Sequence, residues 1–74
     1  MASTLKDVET IMALHKRILL YGLEDVPIDR ALIEAAKESA NRLEEDDLFE
    51  FKFNYDDDIS FLQSVVDFTR SFFK

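Results

Sequence analysis

The side chains with the greatest capacity for chemistry in this chain are carboxylates, and they are concentrated between residues 44 and 58. That window holds eight acids and one base, Lys52, whereas the rest of the chain carries eight acids and eight bases. The whole net charge of −7 therefore comes from one short window. Its acids are Glu44, Glu45, Asp46, Asp47, Glu50, Asp56, Asp57 and Asp58.

Part of this window has the spacing of a calcium-binding loop. Asp56, Asp58, Ser60 and Asp67 would fall at ligand positions one, three, five and twelve. The position that needs a glycine for the turn is Phe61, and the last ligand is an aspartate rather than a bidentate glutamate. We therefore interpret these aspartates as caps of a following helix, with a calcium-regulated module as a much weaker alternative.

No set of residues in the sequence predicts an enzyme. His15 is the only histidine, no second group is placed to orient it, and we expect it to be partly buried and hydrogen-bonded. The chain has no cysteine and no glycine-rich phosphate loop. A glycosidase needs two carboxylates across a sugar cleft, which 74 residues scarcely form. We predict a non-enzymatic protein that needs no cofactor or metal.

Size and composition indicate a single domain over residues 1–74. Apolar residues make up 47% of the chain and include seven phenylalanines, so it is not a disordered acidic tail. The strong negative charge argues against direct binding to nucleic acid. The start, MASTLKDVE, lacks the basic and apolar regions of a signal peptide, and no apolar run is long enough to cross a bilayer. We expect a cytoplasmic protein with no membrane contact.

Three helices are predicted, at about 4–21, 29–45 and 58–73, from apolar residues at helical spacing. Gly22 should end the first helix, and Asp29 should cap the second. The third helix is apolar over more than half of its circumference, which predicts contacts on two sides. In the first helix the predicted apolar face comprises Leu5, Val8, Ile11, Met12, His15, Ile18 and Leu19.

Between the last two helices, the segment FEFKFNYDDD alternates aromatic and polar side chains, which predicts a short strand at about 48–55. A lone strand needs a partner. We expect it to pair with the same strand of a second copy, giving a mainly α (α+β) homodimer. Two alternatives are a sheet edge on another protein, and a loop or helix extension with its phenylalanines in the core. The rings predicted to join the subunits are Phe49, Phe51, Phe53 and Tyr55.

The acidic window has two interpretations. It could simply keep a small apolar protein soluble and protect a strand edge. Alternatively, its dense carboxylates could compete with DNA, which carries about one charge per 1.7 Å of duplex axis, for a basic groove on another protein. We favour the second interpretation and take all eight acids of the window as the predicted partner-binding residues.

In length, charge and lack of a catalytic set, the chain resembles the small acidic proteins that bacteriophages make to block host nucleic-acid machinery. These include DNA mimics, anti-CRISPR proteins and inhibitors of the sliding clamp. Two fragments resemble clamp-binding peptides: QSVVDF, with Gln63 and Phe68, and EDDLF, with Leu48 and Phe49. The resemblance implies a DNA-mimicking inhibitor of a host DNA-binding protein such as the replication sliding clamp. The alternative is an adaptor or small subunit that docks its apolar C-terminal helix into a partner protein.

Overall fold

The computed structural model describes residues 3–27, 29–45 and 50–72. It contains three α-helices: α1 (Ser3–Tyr21), α2 (Arg30–Glu44) and α3 (Asp58–Phe72). Each helix begins and ends within one residue of its predicted range, and the mainly α-helical class is confirmed.

The helix ends follow from local chemistry. The Asp29 carboxylate accepts hydrogen bonds from the N–H groups of Ala31 and Leu32, at 3.1 and 3.4 Å, and so caps α2 as predicted. Gly22 ends α1 with a φ of 87°, a left-handed conformation that glycine adopts without steric cost. Its N–H donates to the carbonyl of Ile18 at 2.7 Å.

The hydrophobic core lies where α1 packs against both α2 and α3. On α3, Phe61, Leu62, Val65 and Phe68 of the predicted apolar arc are buried against two partners, α1 and the aromatic rings of the segment before α3. Ile59, at the start of the arc, is 51% exposed. The largest core side chains are Ile11, Ile33, Leu43, Phe61, Leu62, Val65 and Phe68.

The predicted face of α1 was wrong at its two edges. Leu5 and Leu19 are 69% and 71% exposed, whereas Leu14, which we had not included, is buried. The buried face is centred on Ile11, Leu14 and Ile18, whose spacing of three and four residues places them in one line along the helix. Leu5 and Leu19 lie outside this line.

The predicted strand was also wrong over the residues that can be compared. Residues 50–55 form an extended segment without strand pairing, while 48 and 49 lie outside the described ranges. The alternation arises because any extended chain points successive side chains to opposite sides. Phe53 is buried and Phe51 is half-buried, whereas Lys52 and Asn54 are exposed. The alternative of a loop with its phenylalanines in the core is the one that holds, and a two-stranded ribbon between subunits is not supported.

Candidate protein-interaction surfaces

The segment that carries three of the eight predicted acids is anchored to two helices. We call residues 50–57 the connecting segment. The N–H of Phe53 donates to the Glu44 carboxylate at the end of α2, at 2.6 Å. The next N–H, of Asn54, donates to the Ser64 hydroxyl of α3 at 3.2 Å. Ser64 in turn donates to the carbonyl of Phe61 at 2.7 Å. The extended backbone therefore finds side-chain partners in place of a neighbouring strand.

The aromatic rings of the connecting segment also pack within the chain. The Phe53 ring centroid lies 5.0 Å from that of Phe51 and 5.2 Å from that of Phe68. Tyr55 stacks on Phe61 with centroids 5.8 Å apart. These distances suit favourable aromatic pairs. Two of the four rings predicted to join two subunits, Phe51 and Phe53, thus contribute to one chain's own core. Tyr55 stacks on this core from a position that is 37% exposed, and Phe49 lies outside the described residues.

Tyr55 ties the ring cluster to Glu44. Burial raises the pKa of the Tyr55 phenol well above its usual range, and the charge of the hydrogen-bonded Glu44 carboxylate raises it further. Its hydroxyl therefore stays protonated and available as a donor to Glu44. One carboxylate at the end of α2 thus interacts with both Tyr55 and the backbone of Phe53.

Two of the three consecutive aspartates before α3 have structural roles. The Asp57 carboxylate accepts from the N–H of Ser60 at 2.7 Å, which caps α3. Asp58 forms ion pairs with Arg30 and with Lys37, the latter at 3.5 Å. The hydrogen bond from Arg30, with its charge and the bond and charge of Lys37, lowers the pKa of Asp58.

These contacts do not support a calcium-binding loop over residues 56–67. Asp58 is already neutralised by two bases, and Phe61, at the position of the turn glycine, is fully buried. Within the described ranges, no group of three or more acids or histidines could hold a metal ion.

The remaining described acids of the window are exposed. We define the acidic edge as Glu45, Glu50, Asp56 and Asp57. The acidic edge starts with Glu45 at the end of α2 and continues along the connecting segment to Asp57, which precedes Asp58. The connecting segment contacts α2 at Glu44, and Asp58 contacts it at Lys37. These two points of α2 are about 10 Å apart along the helix axis. Of the eight predicted partner-binding acids, Glu44 and Asp58 instead hold the fold together, and Asp46 and Asp47 lie outside the described residues.

The sequence analysis missed a buried ion pair between α1 and α2. The Asp7 carboxylate is almost fully buried and accepts from Nε of Arg42 at 3.0 and 3.1 Å and from Nη2 at 2.8 Å. The hydrogen bond that Arg42 donates to Asp7 raises the pKa of Arg42. The spacing of the sequence could have predicted that Asp7 is buried, because it lies four residues before Ile11 and seven before Leu14, in line with the buried face of α1.

A second surface that was not predicted from the sequence is a row of exposed residues that winds around α1, from the side away from the core at Glu9 and Ala13 to the exposed end of the helix at Tyr21. We define the outer ridge as five exposed residues at steps of four: Leu5, Glu9, Ala13, Arg17 and Tyr21. Residues at this spacing form a continuous row on a helix. Beside it, Lys16 and the 75%-exposed Leu20 line a shallow depression with Ala13, Arg17 and Tyr21.

Of the two fragments that resemble clamp-binding peptides, QSVVDF lies in the middle of α3. Phe68, the side chain that such a peptide would insert into a partner, is 2% exposed, and Gln63 donates to Asp67 within the same helix. This fragment is therefore not displayed as a docking peptide. Residues 46–49 of EDDLF lie outside the described ranges.

Comparison with protein-family models, curated proteins and solved structures finds no match to this chain. Among the helices in the described ranges, none combines the length and apolar character needed to span a membrane.

Proposed function

We propose that this protein is a non-enzymatic DNA mimic that uses its acidic edge to bind and block a DNA-binding protein, such as the replication sliding clamp, in the cytoplasm of a bacterial host. The observation that supports this proposal is the anchoring of the connecting segment. Contacts through Glu44, Ser64 and Asp58 fix the backbone that carries Glu50, Asp56 and Asp57, and the fourth exposed carboxylate, of Glu45, lies at the end of α2.

Anchoring matters because binding by a mobile acidic tail loses conformational entropy that a fixed surface does not. Carboxylates held in place on one edge also create a directed negative potential, which speeds association with a basic groove. The ion pairs around Arg30 and Lys37 support this argument. Asp58 pairs with both bases and Glu34 pairs with Arg30 at 3.8 Å, so these two positive charges beside the edge are balanced by two carboxylates.

The adaptor alternative has less support in its original form. Phe61, Leu62, Val65 and Phe68 of α3 are each at most 2% exposed because they form the chain's own core. Among the side chains of α3 that the structure describes, Ile59 is the only large apolar one that is mostly exposed. A partner groove would find little apolar surface on this helix.

The proposal predicts that location of charge, and not net charge alone, controls binding. The edge variant combines Glu45→Gln, Glu50→Gln and Asp56→Asn. The control combines Glu24→Gln, Glu38→Gln and Asp25→Asn, which removes the same charge from other exposed positions. We expect the edge variant to bind a purified sliding clamp about tenfold more weakly or worse, and the control to bind nearly as well as the wild type.

Salt and competition complete this test. Binding should weaken steeply with ionic strength, and duplex DNA should displace the protein from the clamp. Equal losses in the edge and control variants would show that the edge is not the binding surface. Absence of clamp binding would exclude that target, and failure of duplex DNA to displace any protein bound from a bacterial lysate would overturn the DNA-mimic proposal itself.

A further inference from the structure

The outer ridge of α1 is complementary to itself when a second copy is placed against it in the opposite direction. If Ala13 meets Ala13 at a two-fold axis, residues equally distant from it along the two helices face each other. Glu9 then lies opposite Arg17, and Leu5 lies opposite Tyr21. Each acid then faces a base, and each large apolar side chain faces another apolar side chain. The two-fold axis produces each of these contacts twice.

The centre of the ridge suits close approach. Ala13 is exposed and small, so two helices can pack with their axes near each other at this point. Lys16 lies beside Arg17 and adds a second base near Glu9 of the other copy. In the part of the chain that the structure describes, none of these three charged side chains has an ion-pair partner. Their charges are therefore available for contacts between copies.

The apolar surface at the end of α1 also needs cover. Leu20 and Tyr21, which are 75% and 48% exposed, line the depression beside the outer ridge, whereas the exposed Leu19 does not line it. Contiguous exposed apolar surface on a small soluble protein marks an interaction site more often than a single exposed apolar residue does. The local charge permits pairing of like copies, because the outer side of α1 has Lys6, Lys16 and Arg17 against Glu9, whereas the chain's excess acids lie elsewhere.

We infer that the protein forms a homodimer in which the α1 helices pack antiparallel across a two-fold axis at Ala13. This interface replaces the strand ribbon expected from the sequence and shares no residue with the acidic edge. The dimer would display two copies of that edge. The inference does not depend on the proposed function, since oligomeric state and clamp binding are measured separately.

The first test is the molecular mass in solution, measured by sedimentation equilibrium on the full chain over a range of concentrations. We expect a dimer for the wild type. Ala13→Glu places two carboxylates against each other at the axis and should give a monomer. Ala35→Glu makes the same change at an exposed position of α2 and should remain dimeric. Circular dichroism establishes that both variants are folded. A monomeric wild type, or equal behaviour of the two variants, would overturn the inference.

The second test asks for the predicted pairing of charges. Glu9→Lys alone, or Lys16→Glu with Arg17→Glu, should weaken the dimer about five- to tenfold, because like charges then face each other. The triple variant restores opposite charges and should recover most of the affinity. Failure of the triple variant to recover, with its fold intact by circular dichroism, would show that these residues do not face each other.

The third test uses the absence of cysteine from the chain. Ala13→Cys should form a disulfide-linked dimer rapidly under mild oxidation, since the two-fold axis brings residue 13 of each copy together. Ala35→Cys is the control and should cross-link slowly. Mixed Leu5→Cys and Tyr21→Cys chains should cross-link preferentially with each other, whereas a parallel pair would favour Leu5→Cys with itself and contradict the antiparallel arrangement.

Discussion

At the scale of single residues, the ion pair between Asp7 and Arg42 shows how exposure decides the effect of losing a partner. Asp7 is 4% exposed, whereas the side chain of Arg42 is 51% exposed. Removing Asp7 leaves a guanidinium that water can solvate. Removing Arg42 leaves a buried carboxylate without its charged partner, and an unpaired buried charge is strongly destabilising.

We therefore predict that Arg42→Ala lowers the free energy of unfolding more than Asp7→Ala does. Urea denaturation followed by circular dichroism measures both. The double variant should be more stable than the sum of the two single losses predicts, because the second substitution removes a group that the first has already left unpaired. Equal losses in the two single variants would show that Asp7 is hydrated after Arg42 is removed.

Glu44 explains an unfavourable feature of the sequence. Acids at the end of a helix meet the negative end of its dipole, which costs a few tenths of a kcal/mol per exposed charge. Here the Glu44 carboxylate accepts from the N–H of Phe53 and interacts with Tyr55, so its position is determined by the connecting segment rather than by α2. Glu44 makes these contacts with residues outside α2, so its role could not be predicted from residues 30–45 alone.

At the scale of elements, the connecting segment acts as a third layer of the core although it has no regular secondary structure. Phe53 is 7% exposed and contacts the rings of Phe51, Phe61 and Phe68. Its burial joins the connecting segment to α3. The segment's shape depends on this side chain as much as on the hydrogen bonds of its backbone.

Phe53→Ala is predicted to lower the free energy of unfolding by about 3–5 kcal/mol, as large-to-small substitutions at buried aromatic positions do. This is a large share of the roughly 5–15 kcal/mol that stabilises a typical domain. Ile59→Ala, at a 51%-exposed position of α3, is the control and should change stability by about 0.5 kcal/mol or less. Urea denaturation measures both. A loss below about 1 kcal/mol for Phe53→Ala would contradict the structure of the connecting segment.

The helices were predictable because their ends are marked by local residues. Asp29 and Gly22 each act on backbone groups within four residues, and the apolar spacing of α2 survives in the structure. The structure of the connecting segment was not predictable, because the alternation of aromatic and polar side chains in residues 50–55 is equally compatible with a strand and with an extended chain packed on a core. Only the positions of Ser64 and Phe68, in a later helix, distinguish the two.

The candidate surfaces were predictable only in part for the same reason. Charge counting located the acidic window, and Glu45, Glu50 and Asp56 are indeed exposed. It could not show that Asp58 is paired with Arg30 and Lys37, which are 28 and 21 residues away in the chain. The outer ridge was hidden because Leu5 was assigned to the core by its residue type.

At the scale of the whole molecule, charge has two separate roles. Some charged groups hold elements together, as Asp7 with Arg42 joins α1 to α2 and Asp58 with Arg30 joins α3 to α2. Others remain exposed, on the acidic edge and on the outer ridge, where a partner could meet them. Acid should weaken the fold through Asp58, whose pKa is lowered by Arg30 and Lys37, since its protonation removes the attraction to these bases.

Two pKa shifts predict how stability changes as the pH falls. Burial lowers the pKa of His15 below its usual 6.5, so the unfolded chain takes up a proton first. Stability is fully present above pH 6.5 and decreases as the pH falls from there towards the lowered pKa of the folded state. The pKa of Asp58 is lowered from 3.8 by Arg30 and Lys37. Its contribution is present above pH 3.8 and is lost as the pH falls through the lower folded value.

Two substitutions separate these windows when urea denaturation is measured at a series of pH values. His15→Gln should flatten the decrease that begins near pH 6.5 and leave the steeper loss below pH 3.8 unchanged. Asp58→Asn should lower stability at neutral pH, because Arg30 and Lys37 lose their anionic partner, and should flatten the loss below pH 3.8. If stability below pH 3.8 decreased as steeply in Asp58→Asn as in the wild type, the ion pairs that join α3 to α2 would not contribute to the stability of the folded chain.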